Sequence, residues 1–263
     1  MTETRLRVMT WNGWHRFGPP DRPTAIETVI ADQRAQVVLL QEVDLTPGVL
    51  AAVAERLGMH HTSAGSHGMG NAILSRWPMT RIAERSLPES DGSPGVRRVI
   101  AADIDTPWGS WPVFVTHLHH RFDGSATRLR QVDAVVEFVA ERRGDPTRDL
   151  PPIVGGDFNA VPDSDEIRRL TGRAPVAVAN LVLNDVWEQC GDGPGHTWSS
   201  ANRYQAEANW PNRRIDYLFV AWPRPKPIGN PVAVHLAGVN PVDGVQASDH
   251  YAVVADLRTP DVY

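Results

Sequence analysis

One feature constrains this chain more than any other: short apolar runs that stop abruptly at a carboxylate, an amide or an imidazole. VMTWN ends in Asn12, VVLLQE in Glu42, VFVTH in His117, and PIVGGDFN in Asp157 and Asn159. In QASDHYAVV the pair Asp249 and His250 comes just before the run, and RRIDYLFV sets Asp216 between Ile215 and Tyr217. Runs of this length, bounded by Gly, Pro, Asn and Asp, read as strands. Groups at strand ends project into the loops along one sheet edge, where a rigid scaffold holds them. Asp, Glu and His are rarely buried without partners, so the repetition argues for one shared site.

Strands are expected over Leu6–Thr10, Val37–Gln41, Asn71–Ser75, Val99–Ile104, Val113–His117, Pro152–Gly155, Ile215–Val220 and Tyr251–Leu257. Helices are expected over Thr24–Ala35, Pro47–Leu57 and Ser125–Arg142, with a short one over Asp163–Leu170 capped by Asp163 or Ser164. In the third helix Leu129, Val132, Val135, Val136 and Val139 recur at helical spacing and share a face. This pattern predicts an α/β four-layer sandwich: two packed, mainly antiparallel sheets flanked by helices. The Pro/Gly-rich segments Glu89–Gly95 and Trp222–Pro231 lead straight into further apolar runs, so they read as loops and residues 1–263 as a single domain. A faint internal echo links Trp11-Asn12 to Asp157-Phe158-Asn159.

Composition removes several function classes. The only cysteine, Cys190, excludes an intramolecular disulfide and a cysteine-based zinc cluster. No apolar stretch approaches the roughly 18 residues of a spanning helix, and MTETRLRVMTW lacks a signal-peptide core, so a cytoplasmic location is expected. A formal net charge of −5 opposes the grip on a long polyanion. All positive side chains but Lys226 are arginines, suited to bidentate contact with one or two phosphates. The charge balance therefore favours a compact, small-molecule substrate, with nucleic acid as the alternative partner through a local basic groove.

The polar residues themselves suit one chemistry. Hard oxygen ligands (Glu42, Asp249, Asn12) fit Mg²⁺ or Mn²⁺. No HExxH motif supports a zinc peptidase, and no Gly-x-Ser-x-Gly elbow supports a serine nucleophile. Asp216 and His250 make an orienting pair of the kind that fixes an imidazole's tautomer, although Asp216 has Arg213 and Arg214 as alternative ion-pair partners. His60, His61 and His67 read as exposed loop groups, and His119, His120 and Arg121 equally as phosphate contacts or solvated side chains. Trp210 and Tyr204, in the polar and aromatic stretch before RRIDY, are candidates to wall a substrate pocket.

Taken in order, TWN, QE, GNAILSR, THL, GDFN, RRIDY and SDH resemble the endonuclease/exonuclease/phosphatase superfamily, with its deoxyribonuclease-I-like fold, from Thr10 to His250. The resemblance implies divalent-metal-dependent phosphoester hydrolysis by water. It implies Glu42 as principal metal ligand, Asn12 as second ligand or phosphate contact, and Asp249 as a carboxylate near the metal. Asp157 would orient or deprotonate the attacking water, Asn159 would hold the phosphate and that carboxylate, and His250 would be the catalytic histidine partnered by Asp216. His117 matches a phosphate contact that is histidine in the deoxyribonuclease and lipid-phosphodiesterase branches but tyrosine in abasic-site endonucleases. Asn71 matches a position near the scissile phosphate. Arg97, Arg98, Arg121, Arg213 and Arg214 lie near the motifs as phosphate contacts, Arg214 foremost. A nuclease and an inactive binding protein on the same scaffold are the rival readings.

Overall fold

Strand after strand in this chain is apolar on both faces, and the layering explains why. The structure, a computed structural model, describes residues 5–260 apart from 90, 91 and 93. In chain order the elements are β1 (Arg5–Asn12), α1 (Arg22–Gln33), β2 (Val37–Asp44), α2 (Val49–Leu57), β3 (His60–Ser66) and β4 (Met69–Ser75). There follow β5 (Met79–Pro88), β6 (Pro94–Thr106), β7 (Gly109–His117), α3 (Ser125–Arg142), β8 (Ile153–Asp157) and α4 (Asp165–Leu170). The last are β9 (Val182–Asp185), α5 (Val186–Cys190), β10 (Asp216–Trp222), β11 (Pro231–Ala237) and β12 (Ala252–Arg258).

The strands form two six-stranded sheets, β11-β12-β1-β2-β4-β3 and β5-β6-β7-β8-β10-β9. Between them lies a core in which Leu6, Leu39 and Ile73 of the first sheet join Ile100, Val115 and Leu218 of the second. The outer face of the first sheet, with Met9, Val38 and Leu74, is covered by Ala25, Ile30 and Leu50 from α1 and α2. The outer face of the second, with Ala101, Phe114 and Phe219, is covered by Val132, Val135 and Val139 of α3, as their spacing predicts. Central strands covered on both faces need apolar residues at successive positions rather than alternate ones. The expected four-layer sandwich is the observed fold.

The sheets are mainly antiparallel, as expected, and several local details differ from the sequence reading. Both sheets are mixed, because β1/β2 and β7/β8 pair in parallel while the other ladders are antiparallel. The strands β3, β5, β9 and β11 and the short α5 were not expected. His60 and His61 accordingly sit exposed on β3 rather than in a loop. Ser164 caps α4, its Oγ accepting from Ile167 N, so Asp163 does not. The Glu89–Gly95 segment is loop only in part, since β6 already starts at Pro94; residues 90, 91 and 93 lie outside those described. Among the described residues no helix is long and apolar enough to cross a membrane.

The internal echo is real but shifted. Each sheet has its parallel pair at its centre, β1 and β2 joined through α1 and β7 and β8 through α3. The equivalent strand ends are therefore Asn12 with His117 and Glu42 with Asp157, not Asn12 with Asp157. Four polar side chains thus emerge from two parallel pairs at one edge of the sandwich.

Candidate active site

At that edge the strand ends converge. The Asn12 amide Nδ2 donates to Glu42 Oε1 at 3.3 Å and to Asp157 Oδ2 at 3.1 Å, bridging the two sheets. His117 Nε2 lies 3.4 Å from Asp157 Oδ2, and its Nδ1 lies 3.9 Å from Glu42 Oε1. From the other side His250 Nε2 approaches Asp157 Oδ2 at 3.9 Å, while its Nδ1 bonds Asp216 Oδ2 at 2.8 Å. That last bond puts the Nδ1 proton toward Asp216 and aims Nε2 into the site.

Local backbone geometry aims these groups. The β2–β4 ladder slips between Leu40 and Val43, and Glu42 in that irregularity has φ of 54°. Such a bulge turns a side chain out of the ladder. Asn159 is also left-handed, at φ 50°, and its backbone N–H bonds Asp157 Oδ1 at 2.9 Å. Non-glycine residues in this region carry strain that clusters at functional sites. The two glycines of PIVGGDFN allow close approach: a Cβ on Gly156 would collide with the Thr116 carbonyl, and one on Gly155 with Leu39 and Leu218.

Asp249 is held by Gln205 Nε2 at 3.0 Å, and Ser248 Oγ ties the same loop to the Asn12 carbonyl at 2.6 Å. Thr197 Oγ1 accepts from the backbone N–H of Ile215 and of Asp216, both at 3.2 Å, fixing the start of β10. Asn71 Nδ2 bonds the Arg98 carbonyl at 3.0 Å, and Asn71 shares a cleft with Glu42, Arg97 and His117. Nine of the ten candidate residues belong to this assembly. Arg214 does not join it: its guanidinium is buried in an ion pair with Asp185 at 2.6 Å, and it lines a separate depression with Trp187 and His196.

Asn12, expected as a second ligand or phosphate contact, is here tied to its neighbours through its amide. Its Oδ1 accepts from Trp14 N at 3.0 Å, and turning the amide over would set that oxygen against two carboxylates. In the observed orientation it is a donor that holds Glu42 and Asp157.

The electrostatics separate the two histidines. Burial, reinforced by Arg97 and His250, drives His117 well below the usual imidazole range, so it is neutral and its approach to Asp157 is not an ion pair. Burial also works against charge on His250, but Asp216, Asp249 and Asp157 outweigh it and hold that imidazolium well above the usual range. Asp157 is pushed up to about 7 by burial and then by Asp216, despite His250 and its hydrogen bonds. Asp249 is pushed up to about 6, mainly by burial, with Glu42 and Asp216 adding to it against His250.

This excess of buried negative charge, set in hard oxygen donors with one Asp216 oxygen unpartnered, fits a divalent cation of the Mg²⁺ or Mn²⁺ type. Asp157, Asp216 and His250 offer ligand atoms within 4.8 Å of one another. Because His250 Nδ1 is already committed to Asp216, the Glu42 side is the better seat. There the carboxylate is 19% exposed, against 2% for Asp157.

Arg22 carried no motif and was missed. Its buried guanidinium donates to the carbonyls of Gly13, Trp14, His15, Phe17 and Ala247, clasping the loop after β1 to the loop before His250. Gln205 and Thr197 were also missed, their only signal being the polar stretch before RRIDY, and Ser248 stood in the SDH motif with no role assigned.

A layered α/β sandwich with buried carboxylates, an imidazolium and a neutral imidazole at one sheet edge is the apparatus of a phosphoester hydrolase. The chain belongs to the Endonuclease/Exonuclease/phosphatase family, whose sequence profile matches residues 9–250. It is similar to tyrosyl-DNA phosphodiesterase 2 of Xenopus tropicalis, 24% identical over 97% of this chain and 66% of that protein, so it spans slightly less than two thirds of that relative's length. In three dimensions it resembles D. rerio TDP2 complexed with a single-strand DNA product, with TM-score 0.80 and 21% identity over 98% of this chain and all of the other. An endonuclease/exonuclease/phosphatase from Beutenbergia cavernae is 26% identical with TM-score 0.68, covering 97% of this chain and 72% of its own.

Proposed function

We propose that this chain, acting as one catalytic unit, hydrolyses a phosphodiester of nucleic acid, a DNA end above others, with Mg²⁺ or Mn²⁺. The observation that carries the chemistry is Asp157: a carboxylate pushed up to about 7, between a neutral His117 and a charged His250. A base with pKa near the working pH is suited to take a proton from water. The oxygen of that water attacks phosphorus in line, its proton passes to Asp157, and the bond to the leaving oxygen breaks. Asn159 and the Asn12 amide hold Asp157 for this step. His250 Nε2–H and His117 donate to the phosphoryl oxygens as charge develops there. Glu42 and Asp249 would hold the divalent ion, which when bound supplies positive charge beside the phosphate.

For the substrate, the relatives outweigh net charge. Both frog proteins that match carry the name tyrosyl-DNA phosphodiesterase 2, and one structural neighbour holds a single-strand DNA product. This supports the reading that the net charge of −5 had placed second. Net charge describes the whole surface, whereas a single scissile phosphate meets only the groups beside it, here Arg97, Arg98 and His120. Arg97 feels both Asp157 and Glu42. The compact-substrate reading keeps only the overall charge in its favour.

A substrate panel with Mg²⁺ or Mn²⁺ tests the assignment: single- and double-stranded DNA, oligodeoxynucleotides with a tyrosyl group at either end, RNA, inositol phosphates and a chromogenic diester. The expected result is the highest kcat/KM on a DNA substrate. Higher efficiency on every small phosphoester would restore the compact-substrate reading.

A further inference from the structure

Two large aromatic rings stand in water beside the site without being buried in any core. Phe122 and Trp210 are each 51% exposed, stacked with centroids 4.2 Å apart and planes 24° from parallel. The Arg213 guanidinium lies 4.7 Å from the Phe122 centroid. Arg213 and Trp210 both pack against Phe122, and Trp210 keeps half of its surface in solvent.

Topology sets this stack across the nucleophile-activating carboxylate. Phe122 is in the loop leaving β7 after His117, and Trp210 and Arg213 are in the segment entering β10 at Asp216. Strands β7 and β10 flank β8, whose last residue is Asp157. Because β10 runs antiparallel to β8 and β7 parallel to it, both loops meet at the Asp157 end. Arg213 is anchored by two backbone bonds with Trp198, at 2.8 and 3.0 Å, and its guanidinium lies within electrostatic reach of Asp157.

We infer that the Phe122–Trp210 stack is a platform for an unpaired base of single-stranded DNA next to the scissile phosphate. The inference rests on the nucleic-acid reading above and adds where a base sits. Successive aromatic and cationic side chains are what a strand of flat bases on a charged backbone requires, and every base has a π-face to stack. The residues adjoining the stack, His120, Arg121, Asp123 and Arg213, are polar or charged, which suits a base tethered to phosphate and not an aliphatic protein surface.

The test measures binding on the Asp157→Asn background, using a short oligodeoxyadenylate and an all-abasic strand of equal length. Trp210→Ala should weaken oligodeoxyadenylate binding about 5- to 150-fold, the worth of one stacked base, with circular dichroism unchanged. Trp210→Phe should recover most of that loss. The abasic strand should already bind weakly, and Trp210→Ala should cost it nothing further, because the two losses remove the same contact. Equal losses on both strands, or none on either, would overturn the platform. Cleavage of oligodeoxyadenylate by the unaltered chain is scored separately. Base- and Trp210-dependent binding without cleavage keeps the platform and rejects DNA as substrate. Cleavage with Trp210-independent binding does the reverse, and absence of binding removes the platform.

Discussion

His117 and His250 both face Asp157, yet one is neutral and the other charged, and their neighbours decide which. Burial disfavours charge on both; around His250 it is outweighed by Asp216, Asp249 and Asp157, whereas at His117 it is reinforced by Arg97, His250 and His120. Sequence alone identified both residues but not this division, because it depends on which buried charges the fold brings within a few ångströms. The same applies to Asn12, whose oxygen is taken by a backbone N–H two residues on. Asp157 yields the sharpest prediction at this scale. With its folded-state pKa near 7, above its unfolded value of about 4, the folded chain binds that proton more tightly. Its contribution therefore falls as pH rises from about 4 to about 7, and a buried ionised carboxylate costs stability above that. In metal-free protein Asp157→Asn should raise Tm at pH 8, by a few degrees if about 1–2 kcal/mol is recovered, with the advantage shrinking toward pH 5. Turnover should fall roughly 10²–10⁴-fold. Thermal melts across pH and single-turnover rates decide it: a pH-independent Tm difference or a near-normal rate would remove Asp157 from this role.

At the scale of elements, the eight strands legible in the sequence are the inner ones, and the four that were not are the sheet edges: β11, β3, β5 and β9. The cause is physical. An edge strand is less covered, so β3 and β5 carry exposed His60, His61, Arg81 and Glu84 and never form an apolar run. Inner strands, apolar on both faces, stand out, and β1, β2, β7 and β8 carry site residues at or near their ends. The candidate site was readable for the same reason, since a polar group closing a buried strand is conspicuous. What holds the intervening loops was not, and Arg22 is the plainest case. A guanidinium serving five backbone carbonyls leaves no periodic or motif signature. Arg22→Met keeps the bulk and strands those carbonyls, of which the two in buried contacts, Gly13 and Ala247, are the costliest to leave unpaired. Loss of about 3 kcal/mol or more is expected, lowering Tm by roughly 6–12 °C. A denaturant or thermal melt within about 1 °C of the unaltered chain would show that the clasp carries little.

Across the whole molecule, two sheets with matching parallel centres each deliver a pair of polar strand ends to one edge, and the candidate-site carboxylates are drawn from both halves of the chain. Glu42 comes from the first sheet and Asp157 from the second, joined through one Asn12 amide. Concentrating this much carboxylate in one buried place raises the pKa values of Asp157 and Asp249, and a divalent ion relieves that repulsion. We therefore propose metal-dependent cleavage of DNA at this edge. Its most direct measurement is kcat/KM on a single-stranded oligodeoxynucleotide, in chelator and after restoring Mg²⁺ or Mn²⁺, with circular dichroism monitoring the fold. Chelation should abolish cleavage, either ion should restore it, and Glu42→Gln should need far more metal for the same rate. Full-rate cleavage by a demonstrably metal-free, folded preparation would contradict it.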